Sequence, residues 1–229
     1  MFANFVNKFK TPKEEKVLIT GFGPFGECKP NPSWEAVNAI DTGKNYGSNI
    51  EWVKEKVEVS YEYVNQTVQD LLDKEKPHLI IHVGVDPKVK CLQLEKQAYK
   101  HGYIKHKDIH DKLPPQGVNP SPGNKCYATI FNVEALADEY NKHHAEDNLR
   151  AETSTDAGRF LCEYIYYTSL SYRKPHEDKE NQRKDRIPTL FVHVPFDNYY
   201  KPKQLARALE RITQLCLKQL KQLQLAKTS

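Results

Sequence analysis

The run Leu79-Ile80-Ile81-His82-Val83-Gly84-Val85 restricts the fold of this chain more than any other stretch. It is rich in β-branched residues, too short for an ordinary helix, and apolar at successive positions instead of alternate ones. A strand with two apolar faces must be buried on both, which places it inside a parallel sheet covered by helices on each side. Val17-Leu18-Ile19 and Leu190-Phe191-Val192-His193-Val194 have the same character. Other apolar residues recur at helical spacing: Val64, Val68, Leu71 and Leu72; then Phe160, Leu161, Tyr164, Ile165 and Thr168; then Leu205, Leu209, Ile212, Cys216 and Leu220. Strands alternating with helices predict a single-domain, three-layer α/β/α fold around a mostly parallel twisted sheet. With 229 residues, 38% of them apolar, the chain is long enough for one substantial core and short for two.

Finer boundaries follow from local signals. Residues 1–15 lack any period and read as a flexible leader, so the domain is expected to occupy 16–229. Asn31 ahead of Pro32 is a capping side chain before a proline suited to the first helical position, predicting a helix over about 33–41. Alternation of Trp52, Val53, Val57 and Val59 with Lys54, Lys56 and Glu58 predicts a half-buried strand from Trp52 to Ser60. Residues 86–127, dense in Pro, Gly, His and Lys, read as mostly irregular, with a strand or hairpin arm around Val89–Leu94. A helix over about 131–144 and a strand over 149–155 follow. The polar stretch at about 173–188 reads as a charged loop insertion.

Composition removes several classes of function. No apolar run approaches the roughly 20 residues that cross a bilayer. The opening Met1-Phe2-Ala3-Asn4-Phe5-Val6 is too interrupted for a secretory signal. Cys28, Cys91, Cys126, Cys162 and Cys216 are odd in number and never spaced C-x-x-C, so they predict reduced thiols in the cytosol instead of a disulfide framework or zinc ribbon. The 34 basic and 30 acidic residues are interleaved, without the block that nucleic acid would require.

Gly21-Phe22-Gly23-Pro24-Phe25-Gly26 satisfies G-x-G-x-x-G after a strand, but a dinucleotide site needs a helix to open at the glycines, and here Glu27 to Asn31 intervene. Two phenylalanines on a rigid turn beyond a parallel strand suit a flat apolar ligand better. Ser154 to Cys162 places a cysteine near a helix start, where unpaired N–H groups and the dipole favour a thiolate, although a free cysteine is more often a buried structural thiol. His193 ends an apolar strand before Pro195, at the edge where open α/β sheets gather site residues, and is otherwise a satisfied core histidine. His82, mid-strand, reads as core or as a support to the site. His101, His106, His110 and Asp108 could be assembled into a metal site only without cysteine ligands. Glu95, after Leu92 and Leu94, is an acid that needs a partner if buried. Spacing alone does not join these residues.

Together the motifs resemble those of the pyroglutamyl peptidase I family, cysteine exopeptidases that remove an N-terminal pyroglutamate from peptides. Val17 to Gly26 with Asn31-Pro32-Ser33-Trp34 is similar to the family's opening motif, Leu94-Glu95-Lys96 to its glutamate motif, Ser154 to Cys162 to its cysteine motif and Phe191 to Pro195 to its histidine motif. The resemblance implies Cys162 as nucleophile, His193 as base and Glu95 as the group orienting the imidazole. It implies a lactam pocket of Phe22, Phe25, Phe160 and Leu161, with Asn31 and Val85 as further lining. It also implies no metal or organic cofactor, pyroglutamyl peptides as partners, and neither nucleic acid nor membrane. Gln93, Lys100 and Glu163 depart from the family pattern, so a weakened member that binds such peptides without efficient cleavage is the alternative.

Overall fold

The structure is a computed structural model and describes residues 14–43, 49–143, 148–173, 186–196 and 200–226. In chain order the elements are β1 (Glu15–Phe22), α1 (Pro32–Asn38), β2 (Ile50–Val57), α2 (Tyr61–Glu75), β3 (Leu79–Asp86), β4 (Leu92–Glu95), β5 (Gln97–Tyr99), β6 (Cys126–Ala128), α3 (Val133–His143), β7 (Ala151–Ser154), α4 (Leu161–Ser171), β8 (Thr189–Pro195) and α5 (Pro202–Leu225). The main sheet has the order β2-β1-β3-β8-β4-β7, and β5 pairs with β6 apart from it. Every neighbouring pair of the main sheet is parallel except β4 with β8.

The continuous apolar runs are explained by a core on each face of the sheet. Leu79, Ile81 and Val83 of β3 face the layer containing α1, α3 and α5, whereas Ile80 faces α2 and α4. In β8, Leu190, Val192 and Val194 face the first layer and Phe191 the second. The α/β/α expectation therefore holds, with a mixed sheet.

Local chemistry shifts several boundaries. Asn31 accepts a hydrogen bond from Ser33 N at 3.1 Å and caps α1 as its position predicts, but Ala39 already closes the helix. The strand expected through Ser60 stops at Val57, because Ser60 caps α2 by accepting from Tyr63 N at 3.3 Å. The arm expected at Val89–Leu94 is instead β4, an internal strand with Leu92 and Leu94 fully buried. Residues 1–13 of the expected leader and 174–185 of the expected insertion lie outside the described residues. Among the described residues, no helix is long and apolar enough to cross a membrane.

Candidate active site

The C-terminal end of β8 carries His193 into a cleft of about 400 Å³, and the first turn of α4 carries Cys162 to the same place. Close approach of the two requires Gly84 of β3, which pairs with His193 across the sheet. A Cβ at Gly84 would lie 2.7 Å from the Cys162 Sγ and 2.7 Å from Phe191 Cζ, so only glycine leaves the sulfur its seat. Phe160, the residue before α4, has no side chain able to cap it, and the N–H groups of the first turn are left for a ligand in the cleft.

Glu95 arrives differently from the way its position after a strand suggests. Because β4 runs antiparallel to β8, Glu95 pairs with Phe191 and lies below His193 instead of beside it at the rim. Its side chain is fully buried, and its Oε1 accepts from His193 Nδ1 at 2.8 Å. With Nδ1 committed to the carboxylate, the opposite ring nitrogen is left for the hydrogen bond to Cys162. Burial alone would strip the proton from this imidazole. The Cys162 sulfur, through its charge and its hydrogen bond, and then Glu95 outweigh burial and raise His193 well above the ordinary imidazole range.

Phe22, Phe25, Asn31, Val85, Phe160 and Leu161 all line this cleft, yet they do different things there. Phe25 and Phe160 pack with ring centroids 5.3 Å apart and ring planes tilted by 44°, and offer an apolar wall. Phe22 and Leu161 are almost wholly buried in the core behind that wall. Asn31 spends its side chain on the turn: it donates to Gly23 O at 2.9 Å and accepts from the Ser33 hydroxyl at 2.8 Å.

Of the glycines around the β1–α1 turn, Gly21 serves packing. A Cβ on Gly21 would meet Ser33 O at 2.7 Å, so the first glycine lets α1 cross close to β1, and α1 opens only at Pro32. His82 is a satisfied core residue: Thr20 Oγ1 and Ser169 Oγ each lie 2.8 Å from its ring nitrogens, and burial pushes it down to about 3, leaving it neutral. Asp108 accepts from the backbone N–H groups of Tyr61, His110 and Lys112, which ties the long connection to α2 instead of binding a metal. Among the described residues no group of three or more His, Cys, Asp and Glu side chains converges as metal ligands would.

Other lining residues were not read from the sequence as part of this cleft. Cys28, Asp86, Lys88, His106 and Arg159 also border the cleft. His106 comes from the connection that read as irregular, folded over the cleft with its ring 5.7 Å from that of Phe160. Arg159 stands on the Tyr99 ring at 4.5 Å and donates from Nη1 to both carboxylate oxygens of Glu163, at 2.9 and 2.8 Å. Glu163 was read from the sequence as a departure from the family pattern, and burial pushes it up to about 8 despite the opposing Arg159. Gln93, another departure, sits directly across from His193 in the β4–β8 register.

A family model described as pyroglutamyl peptidase matches residues 15–226. The chain belongs to the pyroglutamyl peptidase family. Among the relatives of this peptidase family, pyroglutamyl-peptidase 1 of Rattus norvegicus is 32% identical over 207 residues, covering 90% of this chain and 91% of that one. The pyrrolidone-carboxylate peptidase of Brachyspira hyodysenteriae is 30% identical over 181 residues, covering 79% and 83%. The fold is shared with the pyrrolidone carboxyl peptidase from Thermococcus litoralis, at a TM-score of 0.74 and 21% identity over 91% of this chain and 96% of that one. It is shared equally with pyroglutamyl peptidase I from Bacillus amyloliquefaciens, at 0.72 and 24% over 87% and 93%.

Proposed function

We propose that this chain hydrolyses the amide bond that follows an N-terminal pyroglutamyl residue, with Cys162 as nucleophile, His193 as acid and base, and Glu95 orienting the imidazole. The observation that carries the reading is a buried Glu95–His193 pair at 2.8 Å that shares the floor of an aromatic cleft with the sulfur of a helix-start cysteine. The Cys162 proton passes to His193, the thiolate attacks the carbonyl carbon next to the lactam ring, and first-turn N–H groups of α4 receive the oxyanion. Collapse breaks the C–N bond and the His193 imidazolium gives its proton to the departing amine. Water then attacks the thioester, His193 takes the proton from it, and the thiol leaves as free pyroglutamate forms.

The wall of Phe25 and Phe160 suits a ring that carries no charged amine, because a free ammonium would lose its hydration there without gaining a partner. The cysteines of the described structure are all free, in keeping with a reducing cytosolic compartment.

Release of a fluorogenic amine from its pyroglutamyl conjugate tests the reading. Cys162→Ala should fall to the uncatalysed background, at least about 1,000-fold below the wild-type kcat/KM. Turnover surviving in that variant would overturn the mechanism, whereas tight binding of the conjugate by the wild type without product would mark a protein that only captures such peptides.

A further inference from the structure

The Glu95 carboxylate is held by little on its own account. Oε1 bonds His193, while Oε2 is buried and has no hydrogen-bond partner among the described residues. The direction of the side chain therefore depends on what fixes the Glu95 backbone, at the last residue of β4. The Tyr166 hydroxyl donates to the Glu95 carbonyl at 2.9 Å. Tyr166 is fully buried and lies one helical turn after Cys162 on α4, so it faces the same side of the helix. Its ring packs on Phe191 at 5.7 Å, and Phe191 packs on the His193 ring at 4.7 Å. One phenol thus touches the strand that carries the acid, the strand that carries the base and, through its own helix, the turn that carries the nucleophile.

We infer that Tyr166 is a positioning residue of the site: its hydroxyl adds a tether to the pairing of β4 with β8 and β7, so that Glu95 meets His193 at the height where His193 meets Cys162. Burial keeps the phenol protonated far above neutral pH, so it serves as a fixed donor and takes no part in proton transfer. The inference rests on the peptidase reading, because positioning is defined here by the Cys162–His193–Glu95 geometry.

Tyr166→Phe removes the oxygen and keeps the ring on Phe191. A displacement of 1 Å at reacting groups costs about 100-fold in rate, and release of one backbone tether should cost less, about 10-fold in kcat with KM within about twofold. The alkaline limb of kcat/KM should move to lower pH, since a slackened Glu95 holds the imidazolium less well. Alkylation of Cys162 by iodoacetamide at pH 7 should slow in parallel, a readout that needs no substrate. Tyr167→Phe is the control, because it loses a bond of the same kind, from Tyr167 Oη to Asn124 O at 2.6 Å, without reaching β4. Its kcat and alkaline limb should match the wild type while its thermal midpoint falls by a similar amount. An unmoved alkaline limb and alkylation rate in Tyr166→Phe would overturn the inference, as would equal kinetic effects in the two variants or failure of Tyr166→Phe to fold. A wild type that turns over no pyroglutamyl conjugate would instead count against the peptidase reading, with the alkylation comparison still reporting on Tyr166.

Discussion

At His193, burial works against the charged ring, and the Cys162 sulfur together with Glu95 works for it. Since the folded value is raised above the ordinary 6.5, the stabilisation from the charged ring is complete below 6.5 and lost as pH rises through the raised value. Activity that needs the imidazolium to protonate the leaving amine should therefore decline only well above pH 6.5, and Glu95→Gln should bring that decline to lower pH in a kcat/KM profile. Glu163 shows the same sign with a carboxyl. Raised from 4.5 to about 8, it contributes stability that is complete below pH 4.5 and lost as pH climbs through 8. Glu163→Gln stays neutral and can still meet Arg159 and the Tyr99 N–H, so denaturant midpoints from pH 5 to 9 should fall less for this variant than for the wild type. Phe22 and Phe25 were read from the sequence as one subsite, and burial separates them. Phe25→Ala should lower kcat/KM about 5- to 150-fold with a small change in stability, whereas Phe22→Ala should cost about 3 to 5 kcal/mol of stability. Thermal unfolding beside kinetics distinguishes these outcomes. Cys162 and His193 stood out through the resemblance of their motifs to those of the family, since a helix start and a strand end alone left the structural readings open; Arg159 and His106 were not read as cleft residues, because their place there is made by contacts across the fold.

Elements that read most clearly are those whose environment matches their own periodicity. β3, α2 and α5 are continuous with cores on known faces, and their boundaries lie within a few residues of the pattern. β4 was harder: four residues among lysines and a cysteine carry little period, and its place between β8 and β7 depends on partners distant in sequence. The same limit hid the role of Gly84, which looks like one more residue of an apolar strand until α4 is docked. Gly84→Ala would push a methyl group into the space of the Cys162 Sγ and the Phe191 ring. Since β3 and α4 are both firmly packed, the sulfur should yield first. Expected are a fall of about 100-fold in kcat and a smaller loss of stability than overpacking a closed core would bring, read by kinetics and thermal unfolding.

Across the whole molecule, the layers divide the labour. α2 and α4 cover the face from which Cys162, His193 and Phe25 address the cleft, while α1, α3 and α5 cover the other. Leu209 of α5 is fully buried in the far layer. Leu209→Ala should cost about 2 to 5 kcal/mol in a denaturant titration and leave kcat of the folded fraction unchanged. A parallel drop in kcat would show that the two faces are coupled through the sheet.

Glu95 and His193 are separated by 98 positions, and Cys162 arrives on a helix that packs against β8 and β3. Such a site closes large loops, and loop closure costs entropy before distant contacts can repay it. Secondary structure can therefore return during refolding while Cys162 is still unpaired with His193. Far-UV dichroism recorded beside rapid thiol labelling should show an interval in which α4 has formed and Cys162 still reacts as an ordinary cysteine, so that peptidase competence is gained with the final docking of α4 on the sheet.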